Sequence, residues 1–422
     1  MRHALSLLTA TLFAAPLQAQ GRGQQVQLPD GPGKDLVQNT CSQCHGLSNI
    51  TGSGGFTRAG WDELLASMVA LPKEQQSQIV EYLAKNFPEE PRPQAVVING
   101  PARVSIKEWL LPSLGSRPHD PLAGADGSIW WTGMFANVIG RLDPKTGAMK
   151  EYPVKTAGSG PHGLTEDKAG NIWFTANQKT YIGKLDPKTG EVTEYPLPPG
   201  ARGPHTPIFD QKGTLFFTLQ SGQVGRLIPS TGEMKVVKTP SDNTYPYGIQ
   251  VNSQGIPWYV DFRGNRVGRV DPVTMEIKEY TLPNAEARPR RIALTPDDVV
   301  WYTDYARGYV GRFDPKTGAV KEWPSPGGPE SRPYGIASIG TVLWYSESAV
   351  RPNTLVRFDP QTEKFQTWIV PAGGGVIRNM MRTVDGRNIV MAESGRNRVA
   401  CANPASPTVR GDLRSLVPGS PG

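Results

Sequence analysis

The chain has 422 residues but only three cysteines and five histidines. Three thiols cannot staple a protein of this length, so it is not a disulfide scaffold. Beyond its first residues no stretch is apolar for long enough to span a bilayer. Charge of one sign is not concentrated anywhere. Lysine and arginine are scattered, many in DPKTG turns, so a formal net charge of +7 leaves no nucleic-acid footprint. No βαβ pattern surrounds the cysteines.

What the chain does have is a repeat. A Pro-His or Pro-Tyr pair, a polar turn, an aromatic-rich run, a short Gly-Lys/Arg run, a DPxTG turn and an EYP-type run recur in that order. The landmarks are His119, His162, His205, Tyr247, Arg290, Tyr334 and, weakly, Asn379, at steps of 42 to 45 residues. Within one unit Gly163–Thr165, Ile172–Thr175, Tyr181–Leu185 and Glu191–Tyr195 read as four short strands, rich in β-branched and aromatic residues and punctuated by Pro and Gly. Four strands per unit at this period describe a β-propeller blade. Six complete units are followed by a seventh that lacks its fourth strand before the Pro-rich tail. Residues 104–112 match the EYPLP run and supply that strand, which closes the ring and removes its free edges. The expectation is a mainly β protein, a seven-bladed β-propeller over residues 104–402.

Residues 1–19 read as a signal peptide, with Arg2 and His3, an apolar run from Ala4 to Ala15 and a Leu-Gln-Ala cleavage site; the alternative is a membrane anchor. Cleavage takes the formal charge from +7 to +6, because Arg2 is the one charged side chain removed. The mature protein is then periplasmic or secreted. Residues 30–88 are helix-compatible: Trp61, Leu64, Leu65 and Met68 fall at helical spacing, as do Ile79, Val80, Leu83 and Phe87. Residues 89–103 form a Pro-rich linker and 403–422 a Pro/Ser/Gly-rich tail expected to be disordered.

So short a helical segment buries little apolar surface unaided. Cys41-Ser42-Gln43-Cys44-His45 supplies the staple, because CxxCH is the attachment motif of c-type haem: two thiols for the vinyl groups and a His beside them for the iron. A redox disulfide or half of a zinc site would also use CxxC, but no second Cys pair is nearby. The segment resembles a small monohaem cytochrome c, giving an all-α cytochrome c domain with one covalent haem c. The resemblance implies Met68 as sixth ligand, and the other reading of Met68 is a rung of its helix's apolar stripe. Cys401 is left over, a buried thiol in the last blade.

The runs GPHGLTEDKAGNIWFT, IGKLDPKTG and EYPLP resemble the streptogramin (virginiamycin B) lyase family. That resemblance covers residues 103–402 and implies a seven-bladed propeller that opens a cyclic depsipeptide by metal-dependent elimination. It implies working histidines in Pro-His pairs, a Glu before one pair and a Glu after that blade's aromatic strand. The histidines are here as His119, His162 and His205. The residues before the pairs are Arg117, Gly160 and Gly203, and those after the aromatic strands are Gly133, Ala176 and Leu219. Neither Glu is in place, so lyase chemistry is disfavoured.

Carboxylates stand instead in later blades, as Asp261, Asp304, Glu347 and Glu393. Strand alternation puts both rings on one face, with three histidines in one sector and four acids in the other. His119, His162 and His205 are then candidate catalytic residues or ligands for a divalent transition metal such as zinc, copper or iron. Repeat duplication with no ligand role produces the same pattern. Tyr247, Asp261, Arg290, Asp304, Tyr334, Glu347 and Glu393 form the candidate substrate surface, the acids suiting a cationic or hydrogen-bonding substrate. The function expected is electron transfer with a redox partner protein or small-molecule substrate held by the propeller. The alternatives are a metal-dependent lyase and a non-catalytic binding platform with a haem relay.

Overall fold

A computed structural model describes residues 26–43 and 46–404. The leader at 1–19, Cys44, His45 and nearly all of the tail therefore lie outside the described residues. Two compact units divide the chain, the first taking Met1–Trp61 and Lys73–Glu90, the second Asp62–Pro72 and Pro91–Gly422.

Four helices precede the strands: α1 (Lys34–Cys41), α2 (Ser48–Thr51), α3 (Arg58–Met68) and α4 (Lys73–Asn86). Their apolar spacing buries Val37, Ile50, Trp61, Leu64, Leu65, Ile79, Val80 and Leu83. The Trp61 indole donates to the Phe87 carbonyl at 2.9 Å, tying the start of α3 to the end of α4. No helix among the described residues is long and apolar enough to cross a membrane.

The strands form seven four-stranded antiparallel sheets. In blades one to six the strands follow chain order from the axis outward, beginning at Pro118, Pro161, Pro204, Pro246, Pro289 and Pro333. Blade seven combines both ends of the propeller. Ser105–Leu110 pairs antiparallel with Arg398–Asn403, outside Ile389–Glu393 and Ile377–Arg382. The inner strand of blade one adjoins that of blade seven, so the ring is closed and presents no inner edge.

Each blade's core explains two recurring landmarks. The second-strand tryptophan packs over the aromatic of the fourth strand: Trp130 on Tyr152, Trp173 on Tyr195, Trp258 on Tyr280, Trp301 on Trp323 and Trp344 on Trp368, with centroids 5.2–5.9 Å apart. The glycine of the third strand leaves room for the next second-strand ring. A Cβ on Gly183 would come within 2.1 Å of Phe174, and one on Gly140 within 1.9 Å of Trp131. Alanine at either position requires the core to open.

One feature of the inner strands positions the functional face. In every blade the first strand carries a bulge directly after its first residue, where two residues oppose one. In blade one Pro118 pairs with Gly133 and Pro121 with Trp131, leaving His119 and Asp120 opposite Thr132. A bulge re-aims side chains, and here it brings two successive residues of each blade to the axis. The same register sets the last ring member. Ile377 pairs with Glu393, so Arg378, not Asn379, is the counterpart of His119.

Candidate functional site at the channel mouth

The bulges build two layers around the axis. The outer layer is His119, His162, His205, Tyr247, Arg290, Tyr334 and Arg378. The inner layer is Asp120, Gly163, Thr206, Gly248, Arg291, Gly335 and Asn379. Glycine at alternate inner positions follows from crowding, since a Cβ on Gly163 would sit 2.3 Å from the His205 carbonyl oxygen.

Blade-to-blade hydrogen bonds fix the layers. The Thr132 hydroxyl accepts from Asp120 N–H at 3.0 Å and donates to the His162 carbonyl at 2.8 Å. Thr175, Thr218 and Thr303 do the same between their own bulge N–H and the next blade's outer-layer carbonyl. Ser346 likewise accepts from Gly335 N–H but donates to the carbonyl of Ile377, one residue before the outer layer. The sequence signal for this linkage is the hydroxyl one residue before the end of the second strand in five of the seven blades, which composition alone assigns to strand propensity.

The inner layer is locked by one cation. Arg291, 2% exposed, reaches across the axis to Asp120 at 2.8 Å, donates to Thr206 Oγ1 at 3.1 Å and to the Arg378 carbonyl at 3.2 Å. Asn379 Nδ2 donates to the second Asp120 oxygen at 2.9 Å. Sequence reasoning missed Arg291, Asp120 and Thr206, because each occupies its layer once and leaves no repeat to notice.

The three histidines do meet. Ring centroids lie 3.5 Å apart for His119 and His162 and 4.0 Å for His162 and His205, with 6.2 Å between His119 and His205. All three are buried. Burial holds each imidazole well below its ordinary value. Nearby groups add to this, chiefly Arg378 at His119, His119 at His162, and His162 and then Arg291 at His205. They are therefore neutral at pH 7. His119 donates Nδ1–H to Asp120 at 2.8 Å, and His205 Nδ1 meets Thr206 Oγ1 at 2.8 Å. His162 Nδ1 and His205 Nε2 are buried without a partner.

These residues do not fit a divalent cation shared by three histidines. The group whose ligand atoms lie within 4.8 Å of one another is His119, Asp120 and His162, without His205. Its carboxylate is already held by Arg291 and Asn379. The arginine charges that oppose protonation of the imidazoles oppose a metal cation in the same way.

The acid ring is turned away from the mouth. Asp261 accepts from Tyr245 N–H at 2.7 Å and pairs with Arg266 at 3.0 Å. Asp304 accepts from Arg288 N–H at 3.0 Å and pairs with Arg307 at 3.0 Å. Glu347 accepts from Ser325, from Gly327 N–H and from Thr354 at 2.5–2.6 Å. All are fully buried within their own blades, as is Glu393. Burial, and then the charge of Glu108, pushes Glu393 well above the usual carboxylate range. The alternation that puts these residues at the end of strand two fixes their level on the axis. It does not fix their direction: loop N–H groups of their own blades capture Asp261, Asp304 and Glu347, while both Glu393 oxygens are buried without a hydrogen-bond partner. They do not provide the surface for a cationic substrate that the sequence suggested.

The mouth is instead aromatic and basic. A cavity of about 430 Å³ is lined by His119, His162, Tyr245, Tyr247, Phe262 and four arginines, Arg117, Arg263, Arg290 and Arg378. The Arg290 guanidinium lies 3.9–5.0 Å from the centroids of Tyr334, Tyr305, Phe262 and Tyr247. Burial disfavours its charge, but Tyr334, Tyr247 and Tyr305 outweigh this and hold it above its ordinary value. Tyr334 is pushed up to about 12, by burial first.

Fold and site together define a seven-bladed propeller whose bulged inner strands carry a polar pocket on the axis. The chain belongs to the Virginiamycin B lyase family, whose sequence pattern matches residues 100–358. A solved streptogramin B lyase structure is 28% identical, with a TM-score of 0.65 over 71% of this chain and 97% of that one. Selenomethionine-substituted virginiamycin B lyase from Staphylococcus aureus is 24% identical, with a TM-score of 0.64 over 71% of this chain and 99% of its own. A catalytically inactive virginiamycin B lyase from the same organism with quinupristin is also 24% identical, with a TM-score of 0.65 over the same shares. Comparison with curated proteins finds no match.

Proposed function

We propose that this chain is an exported c-type haem protein, periplasmic or secreted, whose helical segment transfers electrons. In this reading the propeller holds a small-molecule substrate or a redox partner protein at its channel mouth. The observation that carries it is the Cys41-Ser42-Gln43-Cys44-His45 motif directly at the end of α1. The described residues are compatible with it. Cys41 is half-buried at the helix terminus. Met68 is 39% exposed, whereas Trp61, Leu64 and Leu65 on the same stripe are 3–8% exposed. Its thioether is thus not committed to the core. Cys41 and Cys44 would attach the haem, and His45 and Met68 would hold its iron. Bound haem supplies a one-electron couple that the side chains of this protein lack.

The test is extraction. Replacing both Cys41 and Cys44 with Ala should leave no haem that survives acid–acetone, while the parent protein keeps its haem. Unextractable haem in the double variant would rule the attachment out.

Family membership favours a second reading, metal-dependent ring opening of a cyclic depsipeptide, with His119, His162 and His205 as its candidate residues. The Arg117, Gly160 and Gly203 that precede the Pro-His pairs count against it. Incubation with quinupristin and a divalent cation, followed by mass spectrometry, should recover the intact ring.

A further inference from the structure

The channel mouth concentrates positive charge without an opposing charge. Arg117, Arg263, Arg290 and Arg378 line it with no carboxylate among the lining residues. None of the four forms an ion pair among the described residues; the acids of this face pair with Arg266 and Arg307 instead. The Nε atoms of Arg290 and Arg378 are buried with no hydrogen-bond partner. An unpartnered buried donor on a charged group costs more than one on a neutral group.

Arg117 adds two further costs. Burial, and then the charge of Arg378, lowers it to about 10. Its backbone φ is 50°, in the left-handed region, where the equivalent positions in the next two blades are glycines at 57° and 61°. A non-glycine residue held there stores strain, and such strain concentrates at ligand clamps. Blade six also holds an arginine in this conformation, Arg332 at 51°, but Arg117 is the one that is half-buried in the mouth beside another arginine, Arg378. A ligand that neutralises both would offset all three costs.

The walls say what the ligand carries besides charge. Tyr245, Tyr247 and Phe262 present ring surface to the same cavity. Rings favour a planar body, and guanidinium forks favour a planar anion bound through two parallel hydrogen bonds. We propose that the channel mouth is a binding site for a small aryl carboxylate, with Arg117 and Arg378 on the carboxylate and the Tyr245–Phe262 side on the ring. This deepens the reading of the propeller as a small-molecule module and does not depend on the haem.

The test is calorimetric titration of the mature, haem-loaded full chain with benzoate, its neutral isostere benzamide, and inorganic phosphate. Benzoate should bind at one site at least ~10-fold more tightly than benzamide, the size of a lost charge-assisted pair. It should also bind more tightly than phosphate, which has no ring. Arg378→Gln and Arg117→Gly should each weaken benzoate at least ~10-fold, while Lys316→Gln, in an exposed turn, should not. Arg117→Gly relieves the strain and should melt at or above the parent temperature, so its loss of binding is not a loss of folding. Benzoate and benzamide binding alike, or benzoate affinity unchanged in both arginine variants, overturns the site. Phosphate binding as tightly as benzoate overturns the aryl carboxylate. The absorbance of the same samples reports the haem, so a haem-free preparation that still binds benzoate contradicts the electron-transfer reading and leaves this one standing.

Discussion

Blades one to three and blades four to six are built on one repeat but differ at two positions. The first three place His119, His162 and His205 on the axis and end strand two on Gly133, Ala176 and Leu219. The next three place Tyr247, Arg290 and Tyr334 on the axis and end strand two on Asp261, Asp304 and Glu347. The acids belong to the loops of their own blades: Asp261 and Asp304 each accept the N–H of the residue two before the outer-layer position, and Glu347 accepts from Gly327. A carboxylate at a recurring site near an axis is therefore as readily a loop anchor as a ligand. The histidine half has no such anchors, and its imidazoles pack against one another at tilted angles of 36° and 50°. The acids tie loops within blades four to six, and the neutral histidines leave the arginines as the charge of the mouth.

This contrast is broken first by removing an anchor. Asp304→Ala leaves Arg288 N–H without its acceptor and strips a buried partner from Arg307, and should cost roughly 3 kcal/mol by denaturant titration. Benzoate affinity should be unchanged in the folded fraction. A variant of parental stability that no longer bound benzoate would make Asp304 a ligand residue after all.

The histidine half is probed by acid. The three imidazoles have folded values depressed below 6.5. Their contribution to stability is full above about pH 6.5 and is lost as pH falls below it, because the unfolded chain takes up protons that the folded channel refuses. Each histidine contributes a slope of up to about 1.4 kcal/mol per pH unit in that window. His162→Asn should flatten the decline between pH 6.5 and 5, measured by denaturant midpoints. Stability that rises on acidification would contradict neutral buried imidazoles.

The smallest effect belongs to blade seven. Glu393 is held above 4.5, so its contribution has the opposite sign: full below 4.5 and lost as pH rises toward its folded value. At pH 7 the unfolded side chain is ionised and the folded one resists ionisation. Glu393→Gln should therefore stabilise the protein by about 1 kcal/mol at pH 7 and by less at pH 4. An equal change at both values would show that Glu393 is not titrating.

Much of this architecture was legible in the sequence because it is periodic. The blade number follows from the repeat, as do the four strands of each unit and the closing strand at 104–112. Periodicity also placed six of the seven outer-layer residues. It failed at the seventh, where Ile377 replaces the proline and the landmark pair is absent, so the strand register alone selects Arg378. It was silent on Arg117, whose significance is a backbone angle, and on Arg291, whose partner Asp120 is 171 residues away. The acids were found at the right level and assigned to the wrong surface, since a period-two pattern does not say whether a side chain turns to the axis or caps its own loop.

The central claim is that this family's propeller is carried here by an exported haem protein. It is tested most directly by the intact mass of the protein recovered from the periplasm or medium. The account predicts one species, cleaved after Ala19 and heavier than its polypeptide by one covalently attached haem. A chain of bare polypeptide mass, or one that retains residues 1–19, would contradict it.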